Sequence, residues 1–397
     1  MSTTMRSGDQ LTGMREIAQI GRDSRRGGYS RSLWQPADME LRAWFVERAQ
    51  RLGLDVEHDR NGNIWAWWGI PGPNAIATGS HLDSVPGGGP FDGPLGVISA
   101  LEAVAALKKS GLRPSRPLAV IVFAEEEGSR FGVACLGSAL MTGRLDPNRA
   151  RALTDEAGVS FAEAARRVGF DTSGMGPDQA ALERIALFIE LHVEQGRGLI
   201  ELGSATAVAS SILAHGRWTL TFSGQGNHAG ATAMRERDDP MIAAARAVLS
   251  VQEAALEHPG ARATVGRISA NPGGSNVIAS SVTMWLDARA ESDQATRALV
   301  ADIAERVGAD RFHEDSWTPE VRFDPDLARQ VAATLDEAPI LPSGAGHDAG
   351  ILADRVPTAM IFVRNPTGIS HAPEEWAELD DCLAGIAALE RVLRSLL

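Results

Sequence analysis

Apolar positions recur along this chain in two rhythms. Four runs are short and continuous: Ala75-Ile76-Ala77-Thr78-Gly79-Ser80, then 118–124, 185–189 and 358–363. Such runs, bounded by Gly and Pro, predict strands buried on both faces of a sheet. Elsewhere the apolar residues fall three or four apart, which predicts helices. Met39, Leu41, Trp44 and Phe45 do so within 38–52, with Asp38 near the start and Gly53 at the expected C-cap. Val97, Leu101, Val104 and Leu107 do so within 95–109, and Leu379, Leu383, Ile386, Leu389, Val392 and Leu393 within 376–397, a helix expected to pack against the sheet.

The pattern changes near Val208. Strand-like 217–222, helical 240–256, strand-like 263–269 and 282–290, helical 294–307 and a strand near 312–317 follow in β-α-β-β-α-β order, that of a split βαβ sandwich. The expectation is an α/β protein with a mixed, mostly parallel sheet flanked by helices, formed by 1–207 and 323–397. An α+β, ferredoxin-like domain, 208–322, is inserted in it. A chain of 397 residues is long enough for two cores.

Composition narrows the partners. Lys plus Arg number 38 against 51 Asp plus Glu, and a net charge of −13 argues against a nucleic-acid footprint or a polybasic membrane anchor. An anionic substrate would need its own local cation. Two cysteines, Cys135 and Cys382, are too few for a disulfide framework, and Cys135 sits in a small-residue apolar stretch that suits a packed thiol. Residues 1–27 are polar with charges of both signs and do not resemble a signal peptide, and no run approaches membrane-spanning length. A cytoplasmic protein is expected.

Each of the four apolar runs leads to a metal-type ligand. The first ends at His81 and Asp83, the second at Glu125, Glu126 and Glu127, the third at Glu190 and His192, and the fourth passes a Gly-containing turn to His371. Asp92 follows on the Gly-rich loop 86–93, just before a helix. Ligands of open α/β sheets bind at the strands' carboxyl ends, so one crevice could collect all of these groups. A mixed imidazole and carboxylate set suits zinc or a similar divalent ion, and a carboxylate can bridge two ions about 3.5 to 4 Å apart. A lone histidine is more often structural. Joint placement after buried strands reverses that expectation, because charged groups there need a partner. Spacing alone does not say which of the three adjacent glutamates is ligand and which is base.

Gly79-Ser80-His81-Leu82-Asp83-Ser84-Val85 with Phe91-Asp92-Gly93, Glu125 to Phe131, His192-Val193-Glu194-Gln195-Gly196 and Gly368-Ile369-Ser370-His371-Ala372-Pro373 resemble the motifs of the di-zinc amidohydrolases of the hydantoinase/carbamoylase family, relatives of the dinuclear zinc aminopeptidases. The resemblance covers nearly the whole chain. It implies that His81, Asp92 and His192 hold one metal and Asp92, Glu127 and His371 the other, with Glu126 as general base and Glu125 structural or solvent-facing. Asp83 is implied to orient His81. Two divalent ions follow, zinc first, with manganese, cobalt or nickel accepted by the same ligands.

Gly224 to Met234 resembles the family's lid motif, which implies that His228 reaches a partner subunit's active site and hydrogen-bonds the reacting carbonyl. Asn276 and Arg289 match positions that hold a substrate carboxylate, and Gln195 is expected to contact substrate. The 208–322 domain is then a lid and dimerisation domain of a homodimer. Ala233 and Ala279 stand where relatives usually carry proline, and Arg235 adds a charge to the lid loop. Ser343 to Ala349 also resembles a family motif, without a derivable role for His347 or Asp348. His58, His215, His258 and His313 are treated as surface or packing residues.

The implied activity is hydrolysis of a linear amide, the terminal ureido bond of a small N-carbamoyl or ureido acid, releasing ammonia and carbon dioxide. Arg364-Asn365-Pro366-Thr367-Gly368 and Trp65-Ala66-Trp67-Trp68 look most like allantoate amidohydrolases. N-carbamoyl-L-amino acid amidohydrolase or β-ureidopropionase is the alternative, and an aminopeptidase or dipeptidase would use the same metals. A catalytically silent dimeric binding protein would lack Glu126 or a ligand, and all are present.

Overall fold

The computed structural model describes residues 11–397; the first ten residues of the polar leading segment lie outside the described residues. The chain divides into two compact units, one built from residues up to Ser211 and from Arg322 to Leu397, the other from Ile212 to Val321.

A nine-stranded sheet runs through the larger unit in the order Asp55–His58, Ile64–Trp68, Leu118–Phe123, Ala75–His81, Ile185–Val193, Thr358–Val363, Thr206–Ile212 and Val321–Arg322, with Ile340–Ser343 paired to Thr206–Ile212. The four continuous apolar runs form its four central strands, and these are mutually parallel. Their neighbours Ile64–Trp68 and Thr206–Ile212 run antiparallel to them. Helices explain the unbroken apolar runs, because both faces of the central strands are covered. Pro94–Lys109 packs on Ala75–His81 and Ile185–Val193, and Leu379–Leu396 packs on Thr358–Val363 and on Pro94–Lys109. The approach is close at Gly96, where a Cβ would lie 2.2 Å from the Leu191 carbonyl oxygen. Register brings the strand ends level: His81 lies opposite Phe123 and His192 opposite Phe362.

Element ends differ from the sequence expectations where side chains do local work. One helix begins at Pro36 rather than Asp38, because proline suits a first turn that has no use for its N–H. The last helix begins at Leu379, three residues after Trp376, whose ring instead meets Phe91 edge-on at 5.9 Å. Val208, where the hydropathy pattern changes, pairs with Ile361 inside the larger sheet.

The smaller unit has β-α-β-β-α-β order. Its strands lie Arg311–Thr318, Ala214–Ser223, Ser281–Ala290, Arg262–Asn271, all antiparallel, a ferredoxin-like arrangement. Burial alternates along Ala214–Ser223 and Ser281–Ala290. Helices cover one face only, and Trp218, Leu220, Val282 and Met284 pack there with Ala247, Val251, Leu299 and Ile303. Among the described residues no helix is long and apolar enough to cross a membrane.

Candidate active site

His81 closes its strand, and the chain then loops through Gly87, Gly88 and Gly89 to return with Asp92. Gly93 makes that return possible: its φ is +84°, and a Cβ there would lie 2.4 Å from the His81 ring. Asp92 Oδ1 is thereby placed 3.6 Å from His81 Nε2 and 3.3 Å from His192 Nε2. Its other oxygen, Oδ2, lies 3.5 Å from His371 Nε2, which in turn is 3.3 Å from Glu127 Oε2. One carboxylate thus faces two ligand groups, His81–Asp92–His192 and Asp92–Glu127–His371, each with its ligand atoms within 4.8 Å of one another. Five residues, at or beyond the ends of four strands and on the Asp92 loop, meet here.

The imidazoles are oriented for coordination. His81 Nδ1 lies 3.0 Å from the Asp83 carbonyl oxygen and His192 Nδ1 2.9 Å from that of Val193. A carbonyl only accepts, so Nδ1 carries the proton and Nε2 presents its lone pair to the pocket. His81 Nε2 and Glu127 Oε1 are buried without a hydrogen-bond partner. Asp83, Asp92, Glu125, Glu126, Glu190, Asp348 and Glu375 are all buried in this region. Among the described residues none of them pairs with a lysine or arginine. Buried carboxylates at this density need cations close by, and a pair of divalent ions fits both the charge and the donor set.

The same crowding sets the protonation balance. Burial works against ionising Asp92, but the neighbouring His192 and His81 imidazoles hold it well below the usual carboxyl range. For His81, burial opposes the cation, and Glu126, Asp92 and Asp83 outweigh it and raise the group well above an ordinary histidine. His371 is lifted to about 9 by its hydrogen bond to Glu127. Burial pushes Glu126 well above the carboxylate range, with His81 pulling the other way.

Asp83 ties the two halves of the pocket together. Its oxygens accept from the amides of Glu126, at 3.2 Å, and Glu127, at 3.1 Å, while its Oδ1 stays 3.6 Å from His81 Nδ1. The imidazole therefore takes the Asp83 backbone carbonyl, and the carboxylate steadies the two glutamates. Glu125 is buried; its Oε1 accepts from the amides of Arg130 and Phe131, both at 2.8 Å, which makes it a turn-holding group and not a solvent-facing one. Gln195 donates to Asp92 Oδ2 at 2.7 Å, and Ser370 Oγ donates to the same oxygen at 3.0 Å.

Several further groups border the pocket. Glu375 Oε1 accepts from the amides of Phe91, at 2.8 Å, and Asp92, at 3.0 Å, and so holds the Asp92 loop; its only signal is a position four residues after His371. Glu190 accepts from Ser80 Oγ at 2.8 Å and the Ala349 amide at 3.0 Å. His347 lies with its ring 4.6 Å from that of His192 and its Nε2 2.9 Å from Ser343 Oγ, and burial, then the His192 charge, lowers it well below an ordinary histidine. Asp348 Oδ1 accepts from Ser138 Oγ. Glu125, Cys135 and His371, all at the pocket, share left-handed backbone, with φ of +54°, +52° and +58°. Such strained positions concentrate at functional sites.

His228, Asn276 and Arg289 belong to the smaller unit. His228 pairs with Val277 in a two-stranded ladder, and the Ala229 amide donates to the Asn276 carbonyl at 3.0 Å, so His228 and Asn276 are neighbours. Both are exposed. Arg289 lies eight residues along its strand from Ser281, roughly 26 Å at the usual rise. Its Nε and Nη2 lie 2.7 and 3.0 Å from the Asp287 oxygens.

Comparison with known proteins bears on this geometry. The sequence pattern of peptidase family M20/M25/M40 matches residues 77–395. An N-carbamoyl-L-amino acid amidohydrolase of Geobacillus stearothermophilus is 34% identical over 388 residues, covering 94% of both chains. A ureidoglycolate hydrolase of Arabidopsis thaliana is 33% identical, covering 92% of this chain and 82% of its own. An allantoate amidohydrolase of Escherichia coli is 33% identical, covering 93% of each. A crystal structure of a hydantoinase/carbamoylase family amidase from Burkholderia multivorans superposes with a TM-score of 0.85 at 31% identity, covering 96% of each chain.

Proposed function

This chain belongs to peptidase family M20/M25/M40, and from that membership we propose that it is a two-metal amidohydrolase cleaving the terminal ureido bond of a small ureido or N-carbamoyl acid. One observation carries the reading: Asp92 offers one oxygen to His81 and His192 and the other to His371, beside Glu127. His81, Asp92 and His192 would hold one ion, and Asp92, Glu127 and His371 the second. Ions held there supply Lewis acidity, polarising a carbonyl and lowering the pKa of water.

The protein's own groups do the rest. Glu126, with Oε2 3.7 Å from His81 Nε2, stands beside the ligands without belonging to either group. It takes a proton from the attacking water as the C–O bond forms, then returns it to the departing nitrogen as the C–N bond breaks. Ammonia leaves, and the carbamate left on the other nitrogen decomposes to carbon dioxide and the amine. His228 donates to the oxyanion in the tetrahedral intermediate, and Gln195 and Asn276 hold the substrate.

Arg289 supplies the cation for the substrate carboxylate, with a guanidinium fork suited to two-point binding. Asp287 already aligns that fork, and the side chain is about a quarter exposed. Its loss should therefore cost the lower part of the range for a buried charge pair, about 2 kcal/mol. Arg289→Ala is expected to raise KM for carboxylate substrates roughly thirtyfold, with KM for a carboxylate-free ureide little changed. Equal losses for both substrates would remove Arg289 from this role.

Two features of the smaller unit favour a homodimer in which lid residues of one subunit complete the other's site. His228 and Asn276 lie on or beside a two-stranded ladder, whereas Arg289 lies near the far end of a different strand, Ser281–Ala290. Ile242, Leu249 and Leu256, seven residues apart, are exposed on the helix Pro240–Glu257 that packs on the edge strand Arg262–Asn271. The helical spacing makes one apolar stripe beside an open sheet edge, a surface that a second copy would cover.

Allantoate is the first substrate to test. N-carbamoyl-L-amino acids stand beside it, because a relative of that name is 34% identical. Ammonia release by the metal-loaded protein from allantoate, ureidoglycolate, N-carbamoyl-L-amino acids, N-carbamoyl-β-alanine and a dipeptide tests the reading. Turnover of a ureido acid supports it; activity confined to the dipeptide refutes it.

A further inference from the structure

A base that must accept a proton in one step and deliver it in the next has to be held at a defined angle. Among the described residues, the carboxylate of Glu126 makes one hydrogen bond, from Cys135 Sγ to Oε1 at 3.4 Å. Among the same residues no lysine, arginine, hydroxyl or amide hydrogen-bonds to it, and His81 Nε2 lies 3.7 Å from its Oε2. Both residues are buried.

The local chain is built to bring this thiol there. Gly128 turns with φ +62°, so tightly that a Cβ would sit 2.6 Å from the Ala134 nitrogen. The returning segment then pairs back on the strand end: the Cys135 amide donates to the Glu126 carbonyl at 2.7 Å, Leu136 to Glu125 at 3.1 Å and Gly137 to Ala124 at 2.9 Å. Cys135 itself adopts left-handed backbone, φ +52°, where an L-residue is strained. Three main-chain bonds and one strained residue therefore aim its side chain at Glu126.

We propose that Cys135 is a positioning residue for Glu126, its thiol holding the carboxylate in the orientation from which it serves both water and leaving nitrogen. Thiol chemistry suits that task. Burial, with Glu126 adding to it, raises Cys135 well above an ordinary thiol, so the group remains protonated and can donate. An S–H is a weak donor, so it can orient an acceptor without the strong stabilisation of the anion that a shorter, charge-assisted bond gives. The inference rests on the reading of Glu126 as the base.

A double-mutant cycle separates positioning from general support of the fold. Cys135→Ala and Cys135→Ser are each made in the native chain and in Glu126→Gln, with kcat, KM, thermal midpoint and metal content measured on the best ureido substrate. Misplacing a reacting group by a fraction of an ångström predicts that Cys135→Ala lowers kcat about tenfold, with KM within about twofold and metal content unchanged. Cys135→Ser, which keeps a donor, is expected to recover most of that loss. In the Glu126→Gln chain neither change should lower kcat further. A kcat unaffected by Cys135→Ala, or the same fractional loss in both backgrounds, overturns the proposal. Should Cys135→Ala fail to fold, the serine variant carries the same cycle, its smaller loss present with Glu126 and absent in Glu126→Gln. If Glu126→Gln by itself keeps native turnover, the base reading fails, and that result is visible without any cysteine variant.

Discussion

Glu126→Gln is expected to lower kcat by about 10² to 10⁴ while the protein keeps both metal ions. The exchange preserves shape and the thiol contact but removes the ability to accept a proton. Glu126 belongs to neither ligand group, so metal content measured by elemental analysis should stay at the native stoichiometry. Its neighbours provide the contrast. Glu127→Gln alters a ligand, and the expected result is loss of one ion together with activity. Glu125→Gln alters a residue whose Oε1 holds the amides of Arg130 and Phe131; its effect should appear mainly in thermal stability. Native turnover in metal-replete Glu126→Gln would remove the base assignment, and coupled loss of metal would make Glu126 a ligand. Three adjacent, chemically identical side chains are thus expected to give three different phenotypes.

That division among the glutamates also marks how far the sequence could be read. The four central strands were legible because burial on both faces leaves no polar positions to interrupt them, as along Leu118–Phe123. The gathering of these side chains was legible for a related reason: parallel strands whose ends lie level place His81 and His192, distant in sequence, at one edge. What stayed hidden depends on contacts without a sequence period. Glu375 reaches the Asp92 amide across 283 positions of sequence, and nothing in Pro373-Glu374-Glu375 distinguishes its second glutamate from its first. Cys135 reads as a packed small residue until the turn at Gly128 folds it back on Glu126. The Asp287–Arg289 pair could have been anticipated, since residues two apart on a strand share a face. The contacts of Gln195 and Ser370 with a single oxygen of Asp92 could not.

Removing divalent ions with a chelator is expected to abolish turnover and to lower the thermal midpoint, with both restored by metal. An ion present at a hundred times its Kd contributes about 2.7 kcal/mol to the folded state, and here it also relieves a pocket of buried carboxylates that, among the described residues, pair with no lysine or arginine side chain. The two ligand groups should not release their ions together. His81 and His192 are almost fully buried, whereas the His371 side chain is 51% exposed. The ion held by Asp92, Glu127 and His371 should therefore leave first, and metal content followed during chelation should fall through a plateau near one ion per chain. Substitution provides an independent check. His371→Ala should retain the ion held by His81 and His192, whereas Asp92→Ala, which removes the carboxylate facing both groups, should hold neither ion tightly. A single-phase loss, or an Asp92→Ala protein that keeps one firmly bound ion, would mean that Asp92 does not join the two groups; the two-metal reading of this pocket would then fall.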